Sequence, residues 1–245
     1  MENRREQIKT AIAAGIVILL ILTAVVVVYK YSIEGENNMP FKLSRILIVS
    51  TAGSEDNQPV EATEGTVVQN NDVYIEVQKN EEYKQDAVIK TIEIANIQLT
   101  QLPIKGEVKT YIPSTKEDGK FTYSDEFLLQ GNSLTYRGAS KTDTSALEIN
   151  NQGGVILIGF GNTNLGTYKL TEEGITKDGT ILNTIDVKDD EIKFSVNFDL
   201  IINTEGKKYK TNVDINLPAA DITEEGTASL EITDTSRYVF KRVIE

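Results

Sequence analysis

This 245-residue sequence contains no cysteine, no histidine and no tryptophan, and each absence removes a class of function. Without cysteine there is no disulfide framework, no thiolate metal site and no cysteine nucleophile. Without histidine there is no Ser-His-Asp triad, and no zinc or haem site with histidine ligands. Without tryptophan the chain lacks the best side chain for stacking on sugar rings. The chemistry left available is carboxylate catalysis, Ser-Lys pairing and metal binding through oxygen ligands.

Positive charge is also scarce, with 25 Lys and Arg residues against 37 Asp and Glu residues. Residues 1–30 hold four of the basic and two of the acidic residues, which leaves 21 − 35 = −14 for the remainder. A domain this acidic repels polyphosphates, so the sequence predicts no nucleic-acid partner and disfavours anionic wall polymers as ligands.

The N-terminal region carries a long apolar run, because no residue from Thr10 to Tyr29 is charged. About 20 apolar residues are enough for a helix to cross the ~30 Å hydrocarbon core of a bilayer. The run is too long for the apolar core of a cleaved signal peptide, and no A-x-A pattern follows it. The predicted organisation is a cytoplasmic tail (1–9), a transmembrane helix (10–29), a juxtamembrane linker (30–40) and an extracytoplasmic β-rich domain (41–245).

The orientation of this predicted anchor depends on the lengths of its flanks. Basic residues are nearly balanced, with Arg4, Arg5 and Lys9 before the run and Lys30 and further lysine and arginine after it. Long regions are translocated largely regardless of their charge. We therefore expect a single-pass protein of the cell membrane, with a cytoplasmic N-terminus and its C-terminal domain outside.

Strand periodicity is clearest late in the chain. Apolar residues recur at every second position from Ile192 to Ile202, with polar residues between them. Residues 203–207 supply a turn, and a second alternating run extends from Tyr209 to Leu217. This pattern predicts an antiparallel hairpin with one buried face.

Shorter strand patterns fill the rest of the domain. They are Phe41–Val49, Asp72–Val77, Ala87–Leu99, Gly154–Phe160, Thr167–Leu170, Ala228–Ile232 and Tyr238–Val243. Turns are predicted at Asn162–Gly166 and Asp178–Gly179, and a helical turn within Asn80–Ala87. Short strands separated by turn signals predict a mainly β, antiparallel, sandwich-like fold. One domain is expected, and two smaller sandwiches divided near residues 142–145 are the alternative.

Two acidic clusters are weak candidates for a calcium site, because loops at the ends of a sandwich can bring oxygen ligands together. The candidate ligands are Asp186, Asp189, Asp190, Glu191, Asp221 and Glu224. Neither cluster has the spacing of an EF-hand loop. Solvated turn residues are therefore the simpler interpretation, and no cofactor is predicted.

Carbohydrate chemistry requires two facing carboxylates or exposed aromatic rings. The tyrosines at positions 74, 83, 111, 123 and 136 are the available rings, although tyrosines more often fill a β core. Ser140 and Lys141 are adjacent, and adjacent residues of a strand point to opposite faces. No catalytic residue is assigned from these patterns.

These observations favour a membrane-anchored, non-catalytic β-sandwich module that binds an envelope protein or contributes to cell-envelope assembly. The alternative hypothesis is a carbohydrate-directed binding domain, or a carboxylate-based hydrolase, at the cell surface. A deep cleft with carboxylates and exposed tyrosines would favour the alternative. A flat face or an unpaired strand edge would favour protein binding.

Overall fold

The computed structural model describes residues 15–28, 39–54, 64–114, 121–139, 147–169 and 180–243. The strands in these ranges are β1 (Phe41–Ser54), β2 (Glu64–Lys79), β3 (Thr91–Gln101), β4 (Glu107–Tyr111), β5 (Leu134–Gly138), β6 (Glu148–Ile149), β7 (Gly153–Lys169), β8 (Phe194–Asn203), β9 (Lys208–Leu217), β10 (Thr227–Ile232) and β11 (Lys241–Val243). The helices are α1 (15–28), α2 (Thr180–Thr184) and α3 (Asp189–Ile192), and Asp125–Phe127 forms one 3₁₀ turn.

The strands form two sheets, which confirms the prediction of a mainly β, sandwich-like architecture. Sheet A has the order β10-β1-β2-β7-β4, and sheet B has the order β11-β9-β8-β3-β5-β6. Neighbouring strands are antiparallel except for β5 and β6, which run parallel. The main hydrophobic core takes its side chains from both sheets, because alternate residues of each strand point inward. The largest fully buried rings are Phe41, Phe160, Phe194 and Phe198.

A second hydrophobic cluster lies at one end of sheet A. It combines Val67 and Leu165 of the sheet with Leu182, Val187 and Ile192 from the α2–α3 region. On the inner face of β1, β2 and β7, a line of buried polar residues separates this cluster from the main core. These residues are Ser50, Gln69, Asn71 and Asn162, and each is 0% exposed. We call this set the polar row.

The predicted late hairpin is confirmed. Phe194 pairs with Leu217 at its open end, and Asn203 pairs with Lys208 beside the turn. Gly206 has a φ of 74°, which the left-handed turn requires and which glycine adopts without strain. One boundary differs from the prediction, because Ile192 ends α3 and does not begin the strand, although its side chain is fully buried.

The predicted turn at Asn162–Gly166 is wrong, because β7 continues through it as one strand from Gly153 to Lys169. The residues with a turn-like sequence lie at an irregularity in the pairing between β7 and β2. Pairing with β2 shifts register between Val67 and Gln69, and Asn164 adopts a φ of 61°. A β-bulge uses the same residue types as a turn, which explains the misinterpretation.

Other local predictions have mixed outcomes. β1 continues to Ser54, beyond the predicted end at Val49, and residues 81–82 form a simple turn where a helical turn was expected. β3 covers the later part of the predicted strand Ala87–Leu99, and its register against β8 shifts between Ala95 and Gln98 and between Leu99 and Gln101. Residues 142–145 and 178–179 lie outside the described residues. Both sheets contain strands from either side of residues 140–146.

Helix α1 contains the described part of the predicted transmembrane segment. Residues 10–14 and 29, with the tail and most of the linker, lie outside the described residues. Within the described ranges, no helix combines the length and apolar character that a membrane crossing requires. The large apolar side chains of α1 are exposed, from 45% at Val27 to 67% at Val28. Its one polar side chain, Thr23, donates a hydrogen bond to the carbonyl of Leu19 at 2.8 Å.

Candidate functional site

Of the six acidic residues predicted as weak calcium ligands, three lie near one another, and the group they surround is the ammonium of Lys193. Asp189 forms an ion pair with Lys193. The pKa of Lys193 is raised first by this hydrogen bond and further by the charges of Asp189, Asp221 and Asp190. An ammonium group therefore lies among three of the six candidates. In the described ranges, no group of three or more acidic residues has an arrangement suited to a metal ion.

Among the acidic candidates, Glu191 and Asp221 hold local backbone structure, and Asp186 and Glu224 lie on the surface. Glu191 accepts a hydrogen bond from the backbone N–H of Lys188 at 3.0 Å. Asp221 accepts bonds from the backbone N–H and the hydroxyl of Thr223 at 2.8 and 2.6 Å, which lowers its pKa. Asp186 and Glu224 are exposed in turns. Ser140 and Lys141 lie outside the described residues.

The five tyrosines considered for sugar stacking do not form an exposed platform. Tyr83, Tyr111 and Tyr136 are buried, at 9%, 3% and 3% exposure. Tyr74 and Tyr123 are half-buried on the outer face of sheet A, and both bond to Asp72. Tyrosine rings in such positions fill and edge a β core.

Asp72 and Tyr123 form a cluster that sequence reasoning missed. The Tyr123 hydroxyl donates to Asp72 Oδ1 at 2.5 Å, and burial raises the pKa of Asp72 despite this bond. Burial, followed by the nearby charge of Asp72, raises the pKa of Tyr123 well above its ordinary value. The signal in the sequence is the pair Gly159 and Gly161. A side chain at either position would collide with the rings of Tyr111, Phe121 or Tyr123. The cluster fastens residues 121–123 to the sheet.

A strand edge is the next candidate, because an edge presents unpaired backbone groups to other chains. Most edges of the two sheets are protected. β10 carries Glu231, which forms an ion pair with Arg45 at 3.1 Å. β11 carries Lys241 and Arg242, and β6 is only two residues long. Charge and short length both oppose pairing with another chain.

Two further edges are covered by the chain itself. Outside β4, backbone bonds join Ile112 to Phe127 and Leu129 to Thr110, each at 2.9 Å. Where β7 extends past β4, the Tyr136 hydroxyl accepts a bond from the N–H of Leu157 at 3.0 Å. The same hydroxyl donates to the carbonyl of Leu157 at 2.6 Å. These edges offer little to a partner.

Among the described residues, the C-terminal half of β3 is protected neither by charge or short length nor by covering chain. β8 pairs with one side of β3 as far as Gln101, but β5 pairs with the other side only over Thr91–Ile94. In the described part of the chain, the last backbone bond on that open side runs from Ile97 N–H to Asn132 O, at 3.1 Å. Residues 98–101 are exposed on both faces. We call the open side of residues 98–101 the β3 edge.

The β3 edge is uncharged and partly apolar. Residues 94–104 contain no charged side chain, in a protein where 25% of residues are charged. Leu99, Leu102 and Ile104 are 36%, 69% and 78% exposed. An open, uncharged edge beside exposed aliphatic side chains is the combination that soluble proteins otherwise avoid. It suits the addition of a strand from another chain.

Comparison with known proteins adds no family to this description. No family model, curated protein or solved structure matches the chain.

Proposed function

We propose that this chain is a non-catalytic protein-binding module, held at a cell membrane by its N-terminal segment, whose partner adds a strand to the β3 edge. The observation that carries this proposal is the contrast between the β3 edge and the other edges. Charge, short length or covering chain protects the other edges described above, while in the described part of the chain residues 98–101 have an open side without charge. A site of this kind recognises its partner through main-chain hydrogen bonds.

Side chains next to the β3 edge supply the second half of the interaction. In strand addition the backbone provides affinity, and alternate side chains provide specificity. Leu99, Leu102 and Ile104 present aliphatic groups beside the edge, and burying them against a partner is favourable by roughly 25 cal/mol per Å². The partner that fits is an extended segment with apolar residues at alternate positions.

Charge introduced at the β3 edge is expected to remove binding and leave the fold intact. Photo-crosslinking from an unnatural amino acid at Thr100, in intact cells, should capture a partner. The additional change Leu99→Lys should reduce the adduct roughly tenfold, because an edge lysine must be desolvated for a strand to pair. Both residues are exposed, so the free energy of unfolding should change by no more than about 0.5 kcal/mol.

The matched control is Leu230→Lys on the protected β10 edge. Leu230 is 40% exposed, close to the 36% of Leu99, so the two substitutions have similar effects on the surface. The Leu230 variant should give the wild-type adduct. Strand addition at the β3 edge is wrong if Leu99→Lys leaves the Thr100 adduct unchanged, or if a probe at exposed Lys84 captures the same partner equally well.

The membrane tether is proposed from the N-terminal segment at residues 10–29. Support comes from the 20-residue uncharged run and from the exposed aliphatic side chains of α1. The bond from Thr23 to the Leu19 carbonyl satisfies the one polar side chain of α1 within the helix, as an apolar environment requires. The bilayer is then a partner through residues 10–29, with the β domain outside.

Charge placed within this segment is expected to release the protein from membranes. The full chain should remain in the membrane pellet after alkaline carbonate extraction, whereas Leu19→Arg with Leu22→Arg should shift most of it to the supernatant. Each arginine costs about 2.5–3.5 kcal/mol near the middle of an inserted helix. Leu230→Arg, the same substitution at an exposed leucine of the β domain, should stay in the pellet. A wild-type protein found in the supernatant would disprove the tether.

The side of the membrane is tested by protease accessibility. An outward β domain should be digested in intact cells, and an inward one only after lysis. Digestion only after lysis would contradict the proposed topology and the envelope partner together.

A further inference from the structure

Sheet B ends in a groove lined by basic residues, in a protein whose net charge is −12. The groove lies where β11 and the segment before it separate from β9, because pairing between these strands covers only residues 208–210 of β9. Its volume is about 550 Å³, within the roughly 300–1,000 Å³ of small-molecule sites. Four basic side chains line it, namely Lys210, Arg237, Lys241 and Arg242.

Two of these lysines face each other directly. Lys241 of β11 pairs with Lys210 of β9 in the antiparallel ladder, so their side chains extend from the same face. Like charges in this position are destabilising. Lys210 is bonded to Asp199 at 3.3 Å, but in the described residues Lys241 has no hydrogen bond or ion pair. The fold therefore places one uncompensated ammonium group in the groove, at a cost to stability.

Arg237 is held in position by contacts that leave part of its guanidinium group available. Its Nη2 donates to the carbonyl of Asp214 at 3.3 Å and also bonds to the Tyr238 hydroxyl. The guanidinium carbon lies 4.6 Å from the centre of the Tyr238 ring, in a cation–π contact. These contacts fix the planar group, and its Nε and Nη1 donors have no hydrogen-bond partner among the residues that the structure describes. A planar, immobilised fork of donors matches the geometry of carboxylate and phosphate oxygens.

Two carboxylates close to groove-lining residues are hydrogen-bonded within the protein, Asp199 beside Lys210 and Asp234 beside Arg237. Asp199 accepts bonds from Asn96, Asn212 and Lys210. Asp234 accepts bonds from the hydroxyl and the backbone N–H of Ser236, at 2.6 and 3.2 Å. Neither lines the groove, which leaves its lining positive.

We propose that this groove binds a small anion that carries more than one carboxylate or phosphate group, with Lys241 and Arg237 as the principal contacts. The proposal is independent of the β3 edge, because it concerns different strands and a different chemistry. The size of the ligand follows from the charge of the surroundings. Residues outside the groove are strongly acidic, so a long polyanion would be repelled wherever it extended beyond the four basic side chains. A ligand that the groove itself can enclose avoids that repulsion.

Calorimetric titration of the full chain, in neutral detergent micelles, tests this proposal with pyrophosphate, inorganic phosphate and citrate as probes. At least one of them should bind saturably with a stoichiometry of one. Lys241→Gln and Arg237→Gln should each weaken that binding about tenfold or more, because each removes a charge-assisted hydrogen bond. Binding of the phosphate probes alone identifies a phosphate-bearing ligand, and binding of citrate alone identifies a polycarboxylate.

The control variant is Lys84→Gln, which removes an exposed lysine that lies between β2 and β3 and does not line the groove. It should bind like the wild type. Without ligand, Lys241→Gln should melt at the wild-type temperature or slightly above, because it relieves the repulsion with Lys210. Three results would overturn the proposal: no saturable binding of any probe, equal weakening in Lys84→Gln, or a ligand-free Lys241→Gln protein that melts at a lower temperature.

Discussion

Replacement of Asn71 by alanine is expected to lower the free energy of unfolding by about 3–5 kcal/mol. Asn71 lies at the centre of the polar row. Its Oδ1 accepts bonds from Ser50 at 2.7 Å and Gln69 at 3.3 Å, and its Nδ2 donates to the carbonyl of Phe160 at 2.9 Å. The side chains of the row are fully buried, so water cannot replace the lost partner. Three polar groups are then desolvated without full compensation, at about 1–3 kcal/mol each when unsatisfied.

Chemical denaturation followed by circular dichroism measures this loss. The matched control is Asn197→Ala, which removes the same side chain from an exposed pair. The amides of Asn197 and Asn212 exchange bonds at 2.7 and 3.0 Å on the outer face of sheet B. Water can satisfy Asn212 once its partner is removed, so we expect a loss below about 1 kcal/mol. Equal losses at the two sites would show that burial of the polar row contributes nothing specific.

Replacement of Gly153 by alanine is expected to lower the free energy of unfolding by about 3–4 kcal/mol, from two separate causes. Gly153 has a φ of 122°, which side chains rarely adopt. A Cβ there would also overlap the carbonyl oxygen of Val77 and lie 3.0 Å from the Cα of Gln78. Both contacts are with backbone of the neighbouring strand β2, which cannot move aside without breaking its ladder with β7.

Gly131→Ala separates the two causes. Gly131 also has a positive φ, of 95°, but a Cβ there would have no neighbour within 4 Å. Its replacement should cost only the conformational term, about 1–2 kcal/mol. The difference between the two variants in denaturant titration then measures the clash alone. A Gly131 variant as unstable as the Gly153 variant would show that the approach of β2 is not the cause.

The β8–β9 hairpin was predictable because each of its signals is local. Alternate apolar residues define the buried face, and Gly206 lies where the turn needs a positive φ. The prediction still missed burial on the outer face of β8. Asp199 and Ile201 are each 8% exposed, and side chains from the neighbouring strands surround Asp199, which accepts bonds from Asn96, Asn212 and Lys210. Period-2 alternation reports one covered face and does not report a second.

β7 shows where local signals fail. Its glycines and asparagines predict a turn, yet contacts with residues distant in sequence determine that they form part of a strand. At positions 159 and 161 only glycine fits, because Tyr111, Phe121 and Tyr123 pack where a side chain would lie. Asn162 is buried in the polar row. None of these contacts is close in sequence. A tertiary contact can therefore require glycine for the same steric reason that a turn does.

Of the two candidate sites, the β3 edge could be predicted in part from the sequence, and the basic groove could not. The uncharged run at residues 94–104 can be read directly from the sequence, but its significance depends on β5 ending its pairing at Ile94. The basic groove was not predictable. Lys210 and Lys241 are 31 positions apart and face each other only through the register of β9 and β11. The negative net charge disfavours nucleic acid and anionic wall polymers as ligands, but a sum over the chain conceals this local concentration of basic side chains.

The polar row also bears on how the strands of sheet A find their alignment. A slip of two residues between β1 and β2 would keep every apolar side chain inward, since the inner residues on both sides of the pair are similar aliphatic groups. Such a slip would move Ser50 away from Asn71. In one direction it would place Ser50 opposite Val73 and Asn71 opposite Ala52, and in the other it would place Asn71 opposite Ile48, so that Asn71 would lose its bond with Ser50 in either case. Misaligned pairings are thereby penalised relative to the native one. The hydrophobic pattern selects which face is buried, and the polar row selects which residue lies opposite which.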